Sequence, residues 1–172
     1  MYNICILEDD KSAADLLKTF LTKFAASKRI DISVRQFTNA FDFLENYSGG
    51  AHLVFFDIEM PGMTGMEAAK KLREMDSHTI IVFATNLAQY AIEGYSVSAF
   101  DFILKPFEYP SLEMKFERIF NELSHHSIEE TIALNRKGKV EIVSVADILY
   151  VEIRNHSLVY HLVNKEISAW GS

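Results

Sequence analysis

The sequence predicts an α/β fold: a five-stranded, mostly parallel sheet wound by helices on both faces, followed by a partial all-β unit. Three observations carry this expectation. Short apolar runs alternate five times with helical stretches within about the first 124 residues. The second to fourth runs are short and apolar with helices between them, as expected of strands covered on both faces. After residue 124 the helical period stops and strand–turn–strand patterns replace it.

Residues 2–7 read as a buried strand that ends at Glu8-Asp9-Asp10. Asp9 or Asp10 can cap the helix that follows, whose apolar face is Ala13, Leu17, Phe20, Leu21 and Phe24. Ile30 to Phe37 alternates and is β-branched, so it reads as a strand. Thr38 or Asn39 can cap a second helix through Tyr47, ended by Gly49-Gly50. Residues 52–56 form a third strand, stopping at Asp57. Pro61-Gly62 marks a turn before a helix from about Thr64 to Met75. Residues 79–84 are a fourth strand, and a weaker helix spans about 87–94. Residues 100–104 are a fifth strand, stopped by Lys105-Pro106. The last helix buries Leu112, Phe116, Ile119, Phe120 and Leu123.

Ser124-His125-His126-Ser127 then reads as a short linker. Beyond it, Thr131 to Asn135 and Val140 to Val143 flank Arg136-Lys137-Gly138, and Ile148 to Ile153 and Leu158 to Val163 flank Arg154-Asn155-His156-Ser157. These are two hairpins. About 45 residues make a small core, so this unit is expected to be incomplete. The domain expectation is therefore 1–124, a linker at 125–128, and a β-rich unit at 129–172.

Composition narrows the function. Of 172 residues, 17 are basic and 24 acidic, a net charge of −7, so no general nucleic-acid-binding surface covers the chain. Residues 1–124 hold 12 basic and 18 acidic side chains, and the acidity belongs mainly there. Any DNA contact is expected to be local, or to lie in sequence outside these residues. The single cysteine, Cys5, excludes a disulfide framework within one chain and reads as a buried small hydrophobe. No signal peptide or membrane-spanning run is legible, so the cytoplasm is the expected location.

In open parallel sheets the site lies beyond the carboxyl ends of the strands. Here those ends are Glu8-Asp9, Asp57, Thr85 and Lys105. Three gathered carboxylates repel one another, and a hard cation with oxygen ligands, such as Mg²⁺, is the natural way to hold them. A lysine and a hydroxyl beside them suit the oxygens of a phosphoryl group, and the central aspartate could form an acyl phosphate.

Residues 1–124 resemble a response-regulator receiver domain. Glu8-Asp9, Asp57, Met60-Pro61-Gly62 with Gly65, Thr85 and Lys105-Pro106 carry the resemblance, each at its own place in the strand order. It implies a flavodoxin-like, five-stranded parallel sheet with Asp57 as the phosphoacceptor and a sensor histidine kinase as the donor. It implies Mg²⁺ held by Asp9, Asp57 and the Glu59 backbone carbonyl, with Glu8 acting through water. Thr85 and Lys105 would contact the phosphoryl oxygens, and Phe102 would be the aromatic switch. Such a chain is not an enzyme beyond its own phosphorylation and slow dephosphorylation. A cis Lys105-Pro106 bond is part of the pattern. Asn86 stands where alanine is usual, and Phe102 lacks the hydroxyl of the commoner tyrosine.

The second segment resembles the opening of a LytTR-type DNA-binding domain, through Ile148-Leu149-Tyr150-Val151-Glu152 and Arg154-Asn155-His156. The resemblance covers about the first half of that domain. It implies a transcription regulator in which Arg154, Asn155 and His156 contact DNA. It also implies a phosphorylation-dependent homodimer through the fourth helix, fifth strand and fifth helix, where Tyr90, Tyr95, Phe107 and Tyr109 could contribute. One rival is a receiver acting through protein contacts without DNA. Another is a haloacid-dehalogenase-type hydrolase, which would need a second aspartate where Glu59 stands. Met60, Met63 and Met66 read as packing residues, His52 and His78 as structural, and His125-His126 as a solvated pair.

Overall fold

A computed structural model of the chain describes residues 1–127, 131–136, 139–145, 148–154, 157–162 and 165–169. The chain divides into two compact units, Met1–Leu123 and Ser124–Ser172. The first opens with β1 (Tyr2–Leu7), α1 (Lys11–Lys28), β2 (Ile32–Phe37), α2 (Ala40–Glu45), β3 (Leu53–Phe56) and α3 (Gly65–Met75). It continues with β4 (Ile80–Thr85), two 3-10 turns (Ala88–Ala91 and Glu93–Val97), β5 (Asp101–Leu104) and α4 (Tyr109–Ser127). All five strands are parallel, in the order β2-β1-β3-β4-β5.

The two-residue period of a strand sends alternate side chains to opposite faces. Ile4, Ile6, Leu53, Phe55, Ile80 and Val82 join α1 and α4 in one core, around Leu17, Leu21, Phe24, Leu112, Phe116 and Ile119. Cys5, Leu7, Val54, Phe56, Ile81 and Phe83 join α2 and α3 in the other, around Phe43, Met66, Ala69 and Leu72. The central strands are therefore apolar at every position because both faces are covered. Cys5 and the three methionines Met60, Met63 and Met66 are buried, as expected.

Local chemistry sets the element ends. Asp10 caps α1, its Oδ1 accepting from Ser12 N at 2.8 Å. Asn39 caps α2, and Thr64 with Glu67 closes a capping box on α3. α2 is shorter than the sequence suggests. The Asn46 side chain bonds back to the Asp42 carbonyl at 2.9 Å, and Tyr47 leaves the helix to donate to Asp76 Oδ2 at 2.6 Å. β2 begins at Ile32 rather than Ile30 because Arg29 turns into the left-handed region (φ 58°) and Ile30 N still bonds Ala25 O.

Two expectations are corrected. The fourth helix is not an α-helix: the segment makes two 3-10 turns, Leu87 offers no side-chain cap, and Ser98 ends it at φ 50°. Gly94, buried beside Ala99 and Phe83, weakens helical continuation. Ser124-His125-His126-Ser127, read as a linker, is instead the end of α4. The Lys105-Pro106 peptide bond is cis.

In the second unit β6 (Thr131–Arg136) and β7 (Lys139–Ser144) form an antiparallel pair. A three-stranded antiparallel sheet runs β10-β9-β8, from β8 (Ile148–Arg154), β9 (Ser157–Leu162) and β10 (Glu166–Ala169). The hairpins match the sequence pattern; β10, only four residues long, was not legible in it. Leu134, Val143, Leu162 and Ile167 make a small core. His161, on the central strand, lies 2.9 Å from Glu152 on β8 and 3.1 Å from Glu166 on β10, with Tyr150 stacked on its ring. Among the described residues no helix is long and apolar enough to cross a membrane.

The start of α3 presses against the strand end that carries Asp57. A Cβ at Gly65 would fall 1.8 Å from the Asp57 carbonyl oxygen. Gly65→Ala is expected to destabilise the first unit by about 1–3 kcal/mol, read as a lower urea midpoint. An unchanged midpoint would show that the backbone can yield freely there. At the opposite end of the sheet, Asp76 accepts from Tyr47, Thr79 and His78. Burial pushes its carboxyl up, but these hydrogen bonds outweigh burial and hold it down at about 2. Its folded value lies below its ordinary value, so its contribution is full above the ordinary value and is lost as pH falls towards 2. Asp76→Asn is expected to cost about 1 kcal/mol at pH 7. The gap to the wild type should narrow as pH drops from 5 to 3, and a pH-independent gap in urea midpoints would refute the assignment.

Candidate functional site

Register alone brings the acidic strand ends together. Leu7 pairs with Phe56, so Glu8 and Asp57 emerge side by side from β1 and β3. Thr85 pairs with Leu104, so Lys105 leaves β5 just beyond it. Main-chain bonds continue the pattern past the strands: Asp57 N donates to Leu7 O at 2.8 Å and Lys105 N to Thr85 O at 3.0 Å.

Glu8, Asp9 and Asp57 each offer a carboxylate oxygen, all within 4.8 Å of one another. Glu8 and Asp57 are buried, at 3% and 5% exposure, while Asp9 is exposed. Lys105 Nζ donates to Glu8 Oε2 at 2.6 Å and to Asp57 Oδ2 at 2.7 Å. One ammonium therefore bridges two buried carboxylates. Burial is the main force on Glu8 and pushes it up to about 7; Lys105 opposes this, and Asp57 adds to it. For Lys105 burial acts downward, but the bonds to Asp57 and Glu8 outweigh it and hold the ammonium above its ordinary value.

The cleft over this cluster encloses about 460 Å³ and is lined by Glu8, Asp9, Asp10, Asp57, Glu59, Asn86, Lys105 and Pro106. Glu59 is exposed, and its N–H donates to Asp57 Oδ1 at 3.3 Å. The carboxylates, with room for water, are an oxygen donor set that suits Mg²⁺. A buried carboxylate facing a lysine and an open cleft can act as a nucleophile towards phosphorus.

The other sequence-predicted residues lie apart from this cluster. Thr85 is fully buried and does not line the cleft; its Oγ1 accepts from Leu87 N at 3.4 Å. Phe102 is half-buried against Phe83, with ring centroids 5.7 Å apart. Of the four aromatics expected near the fourth and fifth helical regions, Tyr95 is exposed at 83%, whereas Tyr90 and Phe107 pack on the cores and Tyr109 meets Phe20. Arg154 lies at the end of β8, ion-paired with Glu152. Asn155 and His156 lie outside the described residues. His52 accepts from Asn3 N through its Nδ1, a structural contact. Sequence reasoning noted Asn86 only as a departure; its place directly after Thr85 was the signal that it lines the cleft. It missed Arg73, whose guanidinium binds four main-chain carbonyls, because nothing in the local pattern marks such an arginine.

Comparison with known proteins agrees with this geometry. Residues 4–117 match the response regulator receiver domain family. The sensory transduction protein LytT of Bacillus subtilis is 27% identical over 158 residues, covering 87% of this chain and 64% of that protein. The transcriptional regulatory protein NatR of the same species is 24% identical over 123 residues, covering 72% of this chain and 53% of that protein. The chain thus spans about half to two thirds of the length of these relatives. Among solved structures, the response regulator TrrA from Thermotoga maritima in complex with Mg²⁺ and BeF is 27% identical, with a TM-score of 0.60, covering 69% of this chain and 99% of that one. A two-component response regulator from Clostridium difficile, 23% identical with a TM-score of 0.61 over 72% of this chain, shares the fold. A parallel sheet in the order 2-1-3-4-5, an acidic cluster at its carboxyl edge and a family match over most of the first unit have one reading: the chain belongs to the response regulator receiver family.

Proposed function

We propose that the chain is the receiver and the first part of the output domain of a two-component response regulator that controls transcription. The observation that carries this reading is the buried Asp57 carboxylate, held by Lys105 beside Glu8 and Asp9 at the floor of an open cleft. Residues 1–124 act as the receiver, 125–128, helical through Ser127, lead on from it, and 129–172 are the N-terminal part of a LytTR-type domain. The LytT and NatR relatives support the regulatory output, and a receiver with no DNA target is not favoured.

A phosphohistidine on a sensor kinase donates the phosphoryl group. An Asp57 carboxylate oxygen bonds phosphorus in line as the phosphorus–nitrogen bond breaks, leaving an acyl phosphate on Asp57 and imidazole on the kinase. Lys105 shifts from the carboxylate pair to the transferred oxygens, and Thr85 turns its hydroxyl to them. Asp9, Asp57 and the Glu59 carbonyl would hold Mg²⁺, with Glu8 reaching it through water, and the ion would supply positive charge for the phosphoryl oxygens. Phe102 follows Thr85 as the switch. The receiver is a phosphoacceptor whose own chemistry goes no further than its phosphorylation and slow dephosphorylation. Exposed Ile92 (80%) and Tyr95, with Leu104 on β5, offer an apolar surface for pairing with a second copy. Arg154, the last residue of β8, and the following Asn155 and His156 reach DNA. The reading places the protein in the cytoplasm, with its kinase partner and its DNA.

Intact mass after incubation with Mg²⁺ and acetyl phosphate is expected to show one added phosphoryl group on the wild type and none on Asp57→Asn. Lys105→Ala should slow the reaction about 10²-fold. Modification that persists in Asp57→Asn would overturn the assignment. Beryllofluoride with Mg²⁺ should drive the wild type towards a dimer in sedimentation. Tyr95→Ala should weaken that dimer about tenfold while leaving phosphorylation intact. Dimerisation indifferent to Tyr95 would place the interface elsewhere.

A further inference from the structure

The segment 86–98, between Thr85 and β5, is fastened very unevenly. At its start, Leu87 N reaches Thr85 Oγ1 at 3.4 Å, and no side chain caps the first 3-10 turn. Residues 88, 89, 92 and 93 are exposed, and this half is held otherwise by Leu87 and Tyr90, which lie half-buried on the core, and by the bond from Tyr90 N to Leu87 O at 3.2 Å. At its end the bonds are dense. Ala99 N donates to Gly94 O at 3.0 Å, Phe100 N to Ile81 O at 2.8 Å, and Ser98 N closes onto Gly94 and Tyr95. Gly94 and Val97 are buried.

Arg73, from α3, grips that same end. Its Nε donates to Val97 O at 2.9 Å and its Nη2 to Ser98 O at 3.5 Å. Its Nη1 donates to Thr79 O at 2.7 Å and to Asp76 O at 3.2 Å. The Asp76–Thr79 loop is itself fixed by the Asp76 carboxylate, the Tyr47 hydroxyl and the bond from Thr79 Oγ1 to Ala51 O. One planar guanidinium thus ties the close of the segment to the α3–β4 loop. All four of its hydrogen bonds go to main-chain carbonyls. A lysine has no fork of donors to span them.

We propose that Arg73 is a positioning residue that pins the C-terminal end of segment 86–98, so that a change at Thr85 moves residues 87–93 while 94–100 stay fixed. The mobile half then carries exposed Ile92, and the fixed half keeps Tyr95 and the entry to β5 in place. This rests on the reading of Thr85 as the phosphoryl contact, but the unevenness of the fastening is independent of it.

Amide hydrogen exchange on the whole chain tests the proposal in two arms. In the first, Thr85→Ala, without any ligand, should raise exchange at 87–93 at least tenfold and leave 94–100 within twofold of the wild type. Arg73→Met should do the reverse at 94–100, and Arg73→Lys should restore only part of that protection. In the second, wild type with Mg²⁺ and beryllofluoride should change exchange at 87–93 alone, and in Arg73→Met the change should spread into 94–100. Phosphorylation of Asp57 by acetyl phosphate should stay within twofold of the wild type in both Arg73 variants, which also shows that they fold. If Thr85→Ala loosens both halves equally, or Arg73→Met leaves 94–100 protected, the hinge is refuted. Failure of beryllofluoride to bind the wild type would instead overturn the phosphoacceptor reading, and the ligand-free arm would still decide the hinge.

Discussion

Everything at the working edge of the first unit follows from crowding three carboxylates where parallel strands end. Glu8, Asp9 and Asp57 sit close enough to repel strongly, and two of them are out of water. A cluster like this persists only with a positive charge supplied to it. Lys105 supplies one, reaching in from the next but one strand to touch both buried acids. Its ammonium is thereby committed, and burial, with a smaller push from Asp57, still holds the Glu8 carboxyl above its ordinary value. A site in this condition is poised to accept a second cation and to release its lysine towards a new set of oxygens.

The rest of the sheet serves to hold that edge still. Side chains alternate into two cores, so each strand is clamped from both faces and none can slip by one residue without inverting its packing. Gly65 extends the clamp to the turn after β3, because its missing side chain lets α3 begin directly against the Asp57 carbonyl. The helix is then locked at its start by Thr64 and Glu67. Asp57 is held by the strand behind it, by Leu7 beside it and by α3 pressing from the following turn.

Much of this was legible in the residues. Strand ends at Glu8, Asp57, Thr85 and Lys105 could be read because apolar runs stop abruptly at polar side chains, and parallel topology then gathers such ends at one edge. The 3-10 character of 88–97 was not legible. Its residues include good helix formers, and the burial of Gly94 and Val97 and the hold of Arg73 on Val97 O, which local pattern does not show, are tertiary. The final turn of α4 was hidden for the opposite reason: Ser124-His125-His126-Ser127 is polar and resembles a linker, yet the helix that precedes it continues through it. Thr85 was placed correctly at a strand end, but full burial and a bond to Leu87 could not be inferred from its position. Nothing in the local pattern marks Arg73, because the carbonyls of Val97 and Ser98 that it binds lie far along the chain.

The difference at the segment after Thr85 bears on how a receiver works. The acidic edge is built from long-range register and two-sided packing, which a pattern of apolar residues records. The segment after Thr85 has little regular hydrogen bonding of its own, and its order comes from partners elsewhere in the chain. Elements held by few local bonds open at low free-energy cost. On the proposed reading of Asp57 as phosphoacceptor, the protein gains from this division. The carboxylates have to stay fixed to bind and transfer charge, while the neighbouring segment has to have a second arrangement within reach. A strong α-helix after Thr85 would carry its own ladder of bonds and resist a local shift. Two short turns, anchored at one end by Arg73 and held at the other by Thr85 and by the packing of Leu87 and Tyr90, would let one through.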